Sequence, residues 1–187
     1  MRLFGWDIHA PGLLSENFSR DITPLPERVA LYFSPDLLTF ESSDRGSRSA
    51  DPQTFHVGEA LAPMLVEGLQ NVFEQFVFLE TEPTSEILKR YAISYLVLVR
   101  IKNFRNRVTM KGQTLALTTE VSLRDPDLKE VGRFEARGES QAEQVFKKKG
   151  GPEVNLNAAL ERNVLATIQS LEDSIRNRSL KEEAKAA

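Results

Sequence analysis

The sequence contains no cysteine among its 187 residues. Disulfides, thiolate nucleophiles, zinc ribbons and cysteine-ligated iron–sulfur clusters are therefore excluded. Histidine is scarce as well, with two residues, and the longest apolar stretch covers residues 92–101 and contains Ser94 and Arg100. A membrane-spanning helix requires roughly 20 apolar residues in succession, so none is expected here. The chain thus has no thiol, only two imidazoles and no apolar run long enough to span a membrane.

The composition is that of a soluble globular protein. Hydrophobic residues make up 41% and charged residues 27%, and 24 Lys+Arg against 27 Asp+Glu give a net charge of −3. Such values are typical of chains that bury a core, and the length favours one domain. Nucleic-acid-binding domains usually carry a net positive charge, so no nucleic-acid partner is expected.

The pattern along the chain predicts three parts. Residues 1–27 contain recurring proline and glycine and are expected to form an irregular N-terminal arm. Residues 28–178 are expected to form a single α/β domain, and residues 179–187, where the apolar repeat ends, a disordered tail. Four apolar side chains are expected to pin the arm to the body: Trp6, Leu13, Leu14 and Phe18.

Hydrophobic periodicity predicts the elements of the domain. Apolar or alternating runs predict strands, at residues 28–33, 76–80, 92–102, 114–124 and 131–140, with a further extended piece at 37–40. Apolar residues at three- and four-residue intervals predict a helix that begins between Gly58 and Ala62. A brief helix capped by Thr84 or Ser85 and a last helix capped by Asn157 are also expected.

The predicted order is therefore β-α-β-α-β-β-β-α, with a polar connection before the last helix. The apolar stripes of the helices are one-sided, and at least two strands alternate between apolar and polar residues. Both features favour an α/β (α+β) fold, namely a two-layer sandwich with the helices on one face of a mixed sheet.

No arrangement of residues predicts catalysis, a cofactor or a metal site. His9 and His56 stand 47 positions apart, without a His-x-x-x-His pair or a carboxylate–histidine motif near either. Nucleophile-elbow and phosphate-loop patterns are absent, and paired acids such as Asp125 and Asp127 are typical of turns. An enzyme remains an alternative only if polar residues, His56 among them, converge in the fold to line a cleft.

One local feature stands out, and we call it the basic patch. Five cations occur within twelve residues, and no acid follows them until Glu120: Arg100, Lys102, Arg105, Arg107 and Lys111. They are predicted to lie at the end of one strand and in the turn to the next. Such a cluster attracts anions, for example lipid phosphates, a charged polysaccharide or an acidic partner. The alternative is a solvated hairpin whose charges protect a strand edge from aggregation.

Three segments carry a resemblance to a known family. Residues 25–37, LPERVALYFSPDL, resemble the "V-x-L-Y-[YF]-S-P-E-[LF]" opening of small bacterial outer-membrane lipoproteins of the YajG-type, PelC-like and LptE-like group. Residues 55–61, FHVGEAL, are similar to the family's "G-x-[AS]" helix start, and residues 68–73, GLQNVF, to its "VF" step into a strand. The resemblance covers residues 25–80, and beyond them the predicted element order is similar.

The resemblance implies a non-enzymatic accessory or assembly factor for envelope transport or export. Members are held by an N-terminal lipid at the outer membrane and face the periplasm. Expected partners are envelope proteins or an anionic lipid or polysaccharide, and some members form homo-oligomers. This chain departs from the family because it has neither a signal peptide nor a lipobox cysteine. Both absences are explained if Met1 takes the place of a removed signal peptide and lipidated cysteine. The alternative is a cytosolic, non-enzymatic protein-interaction module in which Met1 is genuine.

Overall fold

The computed structural model describes residues 5–18, 22–44, 52–142 and 151–186. Within these ranges the strands are β1 (Trp6–Ile8), β2 (Leu25–Phe33), β3 (Glu41–Asp44), β4 (Gln53–His56), β5 (Phe73–Leu79), β6 (Tyr95–Thr109), β7 (Gly112–Arg124) and β8 (Glu130–Glu139). The helices are α1 (Pro35–Leu38), α2 (Val57–Val72), α3 (Ser85–Arg90) and α4 (Gly151–Ala186).

Two mixed sheets organise these elements. The large sheet has the order β5-β2-β6-β7-β8, with β2 parallel to both of its neighbours and the remaining pairs antiparallel. The small sheet has the order β1-β4-β3. The predicted α+β sandwich is confirmed, and its order β-α-β-α-β-β-β-α corresponds to β2, α2, β5, α3, β6, β7, β8 and α4.

The main core lies between the large sheet and the helices α2 and α4. The apolar stripe of α2, with Leu61, Leu65 and Leu69, is fully buried in the same cluster as Leu31 of β2. Helix α4 contributes a matching stripe at intervals of four and three residues: Leu160, Val164, Ile168, Leu171 and Ile175. A one-sided stripe on each helix is what a two-layer packing requires, because only one face of each helix meets the sheet.

The short helix α3 lies on the other face of the large sheet. Its Leu88 forms a second, smaller cluster with Ile93, Ala30 and Leu96. Successive residues of a strand point to opposite faces, so Ala30 faces α3 while its neighbour Leu31 faces the main core. The expectation that all helices share one face therefore holds for α2 and α4 but not for α3. Burial on both faces also explains why β2 reads as a continuous apolar run.

The N-terminal part is more regular than the predicted irregular arm. It contributes β1 to the small sheet, and β2 begins at Leu25. Of the four predicted anchors, Leu14 and Phe18 pack against the core, whereas Trp6 and Leu13 are 46% and 63% exposed. The buried anchor of this segment is Ile8.

The segment predicted as an extended piece at residues 37–40 is instead the end of α1, with Leu37 and Leu38 in the helix and Thr39 as its C-cap. Pro35 stands at the start of this helical turn, where its fixed backbone angle suits a helix and its missing N–H costs nothing.

Helix α4 is longer at both ends than predicted, since it runs from Gly151 to Ala186. Asn157 is therefore no cap. Its Oδ1 accepts from the backbone N–H of Gly12 at 3.0 Å, and its Nδ2 donates to the carbonyl of Leu13 at 2.8 Å, which fastens the arm to α4.

The predicted tail, residues 179–187, is helical as far as the described residues extend. It is rich in lysine, glutamate and alanine, which favour helix even without burial. The lysine run of the preceding polar connection falls in residues 143–150, outside the described residues. No helix within the described ranges, α4 included, is both long and apolar enough to cross a membrane.

Candidate functional site

The basic patch lies on the long hairpin of β6 and β7, but not where the sequence placed it. Pairing continues to Thr109 opposite Gly112, so Arg105 and Arg107 lie on β6 rather than in a turn. The turn consists of Met110 and Lys111. It is stabilised by the hydroxyl of Thr109, which accepts from the backbone N–H of Lys111 at 3.2 Å.

The strand register directs the strand-borne cations to the face of the sheet opposite α2 and α4. Arg105 pairs with Ala116 and Arg107 with Thr114, residues that alternate with the fully buried Leu115 and Leu117 of β7. A bulge between Ile101 and Asn103 makes Lys102 the extra residue of β6. Lys102 nevertheless reaches the same face, because its ammonium bonds Glu135 of β8.

Acids neutralise the inner end of the basic patch. Arg100 lies 3.9 Å from Glu120, its cross-strand partner, and Lys102 is paired with Glu135. The hydrogen bond to Glu135 and the attraction of its charge raise the pKa of Lys102 above its ordinary value. These two cations therefore form a charge ladder on the sheet and are poorly placed to attract an external anion.

The outer end of the basic patch is different, and we call it the hairpin tip: Arg105, Arg107, Val108, Met110 and Lys111. Its three cations are exposed and form no ion pair with another residue of the described ranges. Two apolar side chains beside them are exposed: Met110 of the turn, with 99% of its surface exposed, and Val108, with 55%, which points to the face of the hairpin opposite Arg105 and Arg107. The structure thus brings three of the five predicted site residues together with apolar side chains at the end of a hairpin.

The turn acids behave as the sequence predicts. Asp125 Oδ1 accepts from the backbone N–H groups of Asp127 at 2.9 Å and Lys129 at 3.0 Å. Asp127 itself bonds the ammonium of Lys89, which lowers the pKa of Asp127 below its usual range. Both carboxylates of the β7–β8 connection therefore have structural partners, Asp125 within the connection and Asp127 on α3.

A second group of residues, which sequence reasoning missed, lies on the small sheet. We call it the histidine cluster: Asp7, His9, Glu41, His56 and Glu59. Parallel pairing of β1 with β4 ends at Ile8 opposite Phe55, so the next residues, His9 and His56, lie side by side. Their rings stack at 4.0 Å between centroids with 8° between the planes.

Three carboxylates surround the two rings. His56 Nδ1 lies 2.9 Å from Glu41 Oε1, since Glu41 is the cross-strand partner of His56 on β3. His9 Nδ1 lies 3.1 Å from Glu59 Oε2 on the first turn of α2. Asp7 Oδ1 lies 3.7 Å from His56 Nε2. The sequence motifs indicated no carboxylate–histidine cluster, whereas the fold brings three carboxylates to the two rings.

No family model and no curated protein matches this chain. Solved structures with a partly similar fold include the hypothetical protein CT253 from Chlamydia trachomatis, with 7% identity, a TM-score of 0.45, and coverage of 82% of this chain and 95% of that one. The PelC dodecamer from Paraburkholderia phytofirmans has 12% identity, a TM-score of 0.41, and coverage of 84% and 93%. Lipoprotein GNA1162 from Neisseria meningitidis has 8% identity, a TM-score of 0.37, and coverage of 83% and 99%. The structural neighbours thus include lipoproteins, at low sequence identity.

Proposed function

We propose that this protein is a non-catalytic component of the bacterial cell envelope that docks on an anionic membrane surface through the hairpin tip. The observation that carries the proposal is the combination, at the end of one hairpin, of the exposed Met110 and Val108 with three cations that form no ion pair among the residues that the structure describes. Cations without an ion-pair partner attract lipid phosphates, and the apolar side chain of Met110 in the turn can enter the boundary between headgroups and acyl chains.

The energetics indicate that the hairpin tip acts together with a second anchor. Each Lys or Arg near an anionic membrane surface contributes about 1 kcal/mol, so the three cations together give only weak, reversible binding. An N-terminal lipid, as the resemblance of residues 25–80 to envelope lipoproteins implies, is a natural second anchor, because stable attachment takes two signals. The proposed role is that of an accessory or assembly factor in envelope transport, facing the periplasm.

The proposal is tested by reversing two charges at the hairpin tip. The double variant Arg105→Glu/Arg107→Glu removes two attractive contacts worth about 2 kcal/mol, and binding to phosphatidylglycerol vesicles should become roughly 30-fold weaker. Both side chains are exposed and have no ion pair within the described ranges, so the melting temperature should stay unchanged. Cosedimentation with vesicles at low ionic strength measures the binding.

A matched control separates local binding from net charge. Arg176→Glu/Lys181→Glu makes the same change of −4 with two exposed cations of α4. The control site and the hairpin tip lie at opposite ends of β8. Near the control site, Arg178 of α4 donates to the Val131 carbonyl at one end of the strand. The hairpin tip lies beside the other end, where Glu139 is opposite Ala116. We expect the control to bind like the wild type. Equal losses in both double variants, or equal binding to phosphatidylcholine vesicles, would contradict the proposal, as would a preference for a soluble acidic polysaccharide over vesicles.

A further inference from the structure

We propose that the histidine cluster binds a divalent transition-metal ion, zinc in particular, through His9, His56 and Glu59. One ligand atom from each of these residues lies within 4.8 Å of the others. Two imidazole nitrogens and a carboxylate oxygen form a donor set that suits zinc, and a fourth position can be taken by water or by another oxygen ligand.

His56 is already oriented for this role by Glu41. A carboxylate oxygen accepts, so the 2.9 Å contact with Glu41 Oε1 favours the tautomer with the proton on His56 Nδ1, in which Nε2 carries the lone pair. His56 Nε2 is buried and makes no hydrogen bond with any residue of the described ranges. A carboxylate behind the ligating histidine is the usual arrangement in metal sites, where it fixes the ring and raises its basicity.

His9 and Glu59 have the freedom that closure of the site requires. Zinc binds nitrogen and oxygen at about 2.0–2.2 Å, so the ligand atoms must move closer together than 4.8 Å. The two rings are also nearly parallel, and one must tilt before both nitrogens can face the same ion. The side chain of His56 is 18% exposed, whereas those of His9 and Glu59 are 54% and 66% exposed. His9 follows the last residue of β1, so it is the ring that can turn.

The charge of the cluster favours a cation. Asp7, Glu41 and Glu59 place three carboxylates around two imidazoles, and no lysine or arginine of the described ranges is paired with any of them. Asp7 Oδ1, 3.7 Å from His56 Nε2, is placed to supply a further oxygen. A bound ion would link β1 to the start of α2 and so fasten the N-terminal strand to the body.

The test is titration of the full chain, without a polyhistidine tag, with zinc alone in a calorimeter. We expect one zinc per chain and a rise in the melting temperature on zinc addition. His9→Phe keeps a flat ring against His56 but removes a ligand, and Glu59→Gln removes a charged oxygen. Each is expected to weaken binding at least about tenfold, and Glu41→Gln, behind the ligand His56, by about 10- to 100-fold.

Glu86→Gln is the matched control for Glu59→Gln, because Glu86 also occupies the first turn of a helix and is exposed. It should bind zinc like the wild type. The proposal is overturned if the wild type takes up no stoichiometric zinc, or if His9→Phe and Glu59→Gln retain wild-type affinity. Should His9→Phe fail to fold, as judged by circular dichroism, Glu59→Gln alone decides, since its side chain is exposed.

Discussion

Replacing Gly138 with alanine is expected to lower the free energy of unfolding by about 3 kcal/mol or more. A Cβ at this position would lie 2.1 Å from the carbonyl oxygen of Ala159 and 2.3 Å from the backbone nitrogen of Asn163. Both atoms belong to the backbone of α4, which cannot rotate away as a side chain can. The helix would have to move off β8 and carry its buried stripe with it. Chemical denaturation monitored by circular dichroism measures the loss.

Gly132→Ala is the matched control on the same strand. The nearest atom to a Cβ there is Leu123 Cβ at 3.6 Å, an ordinary contact. The same chemical change should therefore alter the stability by less than about 0.5 kcal/mol. Similar losses in the two variants would mean that glycine in β8 matters for its backbone conformation and not for the approach of α4.

Asn163→Ala is expected to lower the free energy of unfolding by about 3 kcal/mol, because Asn163 is a buried polar link between α4 and two strands of the sheet. The side chain is fully buried. Its Oδ1 accepts from the Thr119 hydroxyl at 3.1 Å, and its Nδ2 donates to the Ala136 carbonyl at 3.0 Å. Alanine leaves a small cavity and a buried hydroxyl without a partner. The change in unfolding free energy is measured by denaturation, as for Gly138.

A double-mutant cycle with Thr119→Val isolates the buried hydrogen bond. Valine removes the hydroxyl, so the cost of Asn163→Ala should be smaller by about 1 kcal/mol in the Thr119→Val background. Strictly additive losses would show that the cavity, and not the hydrogen bond, accounts for the effect of Asn163→Ala.

The helices and the large sheet could be predicted because their signals are local. The stripes of α2 and α4 repeat at helical intervals, and each stripe meets the same core. The Thr84 cap of α3 is also confirmed, since its side chain accepts from the backbone N–H of Ile87. The predicted length of β6 was wrong, because its outer half is rich in polar residues and the strand was expected to end at residue 102. Its alternation of Phe104, Asn106 and Val108 with Arg105 and Arg107 was the signal that the strand continues.

The histidine cluster could not be predicted in the same way. His9 and His56 meet only because β1 and β4 pair in parallel with a specific register, and Glu41 joins them from β3. Register between distant strands is set by tertiary packing, here by the buried Ile8 and Phe55 that precede the histidines. The one trace in the sequence is that each histidine directly follows such an apolar residue.

The basic patch shows the limit of counting charges along a chain. Five cations in twelve residues predict one anion-binding surface, but cross-strand neighbours decide which of them are available. Glu120 and Glu135 come from β7 and β8 and neutralise the inner two. Docking is therefore proposed for the hairpin tip alone, where Arg105 and Arg107 form no ion pair within the described part of the chain and the nearby Glu139 is paired with Arg137.

The most direct test of membrane docking by the hairpin tip is to map the contact by nuclear magnetic resonance. The isotopically labelled full chain is titrated with phosphatidylglycerol bicelles while its backbone amide signals are followed. We predict that the largest shifts and line broadening occur at residues 105–112 and disappear in Arg105→Glu/Arg107→Glu. Perturbations centred on α3 or the histidine cluster, or none at all under conditions in which the protein cosediments with vesicles, would contradict the account.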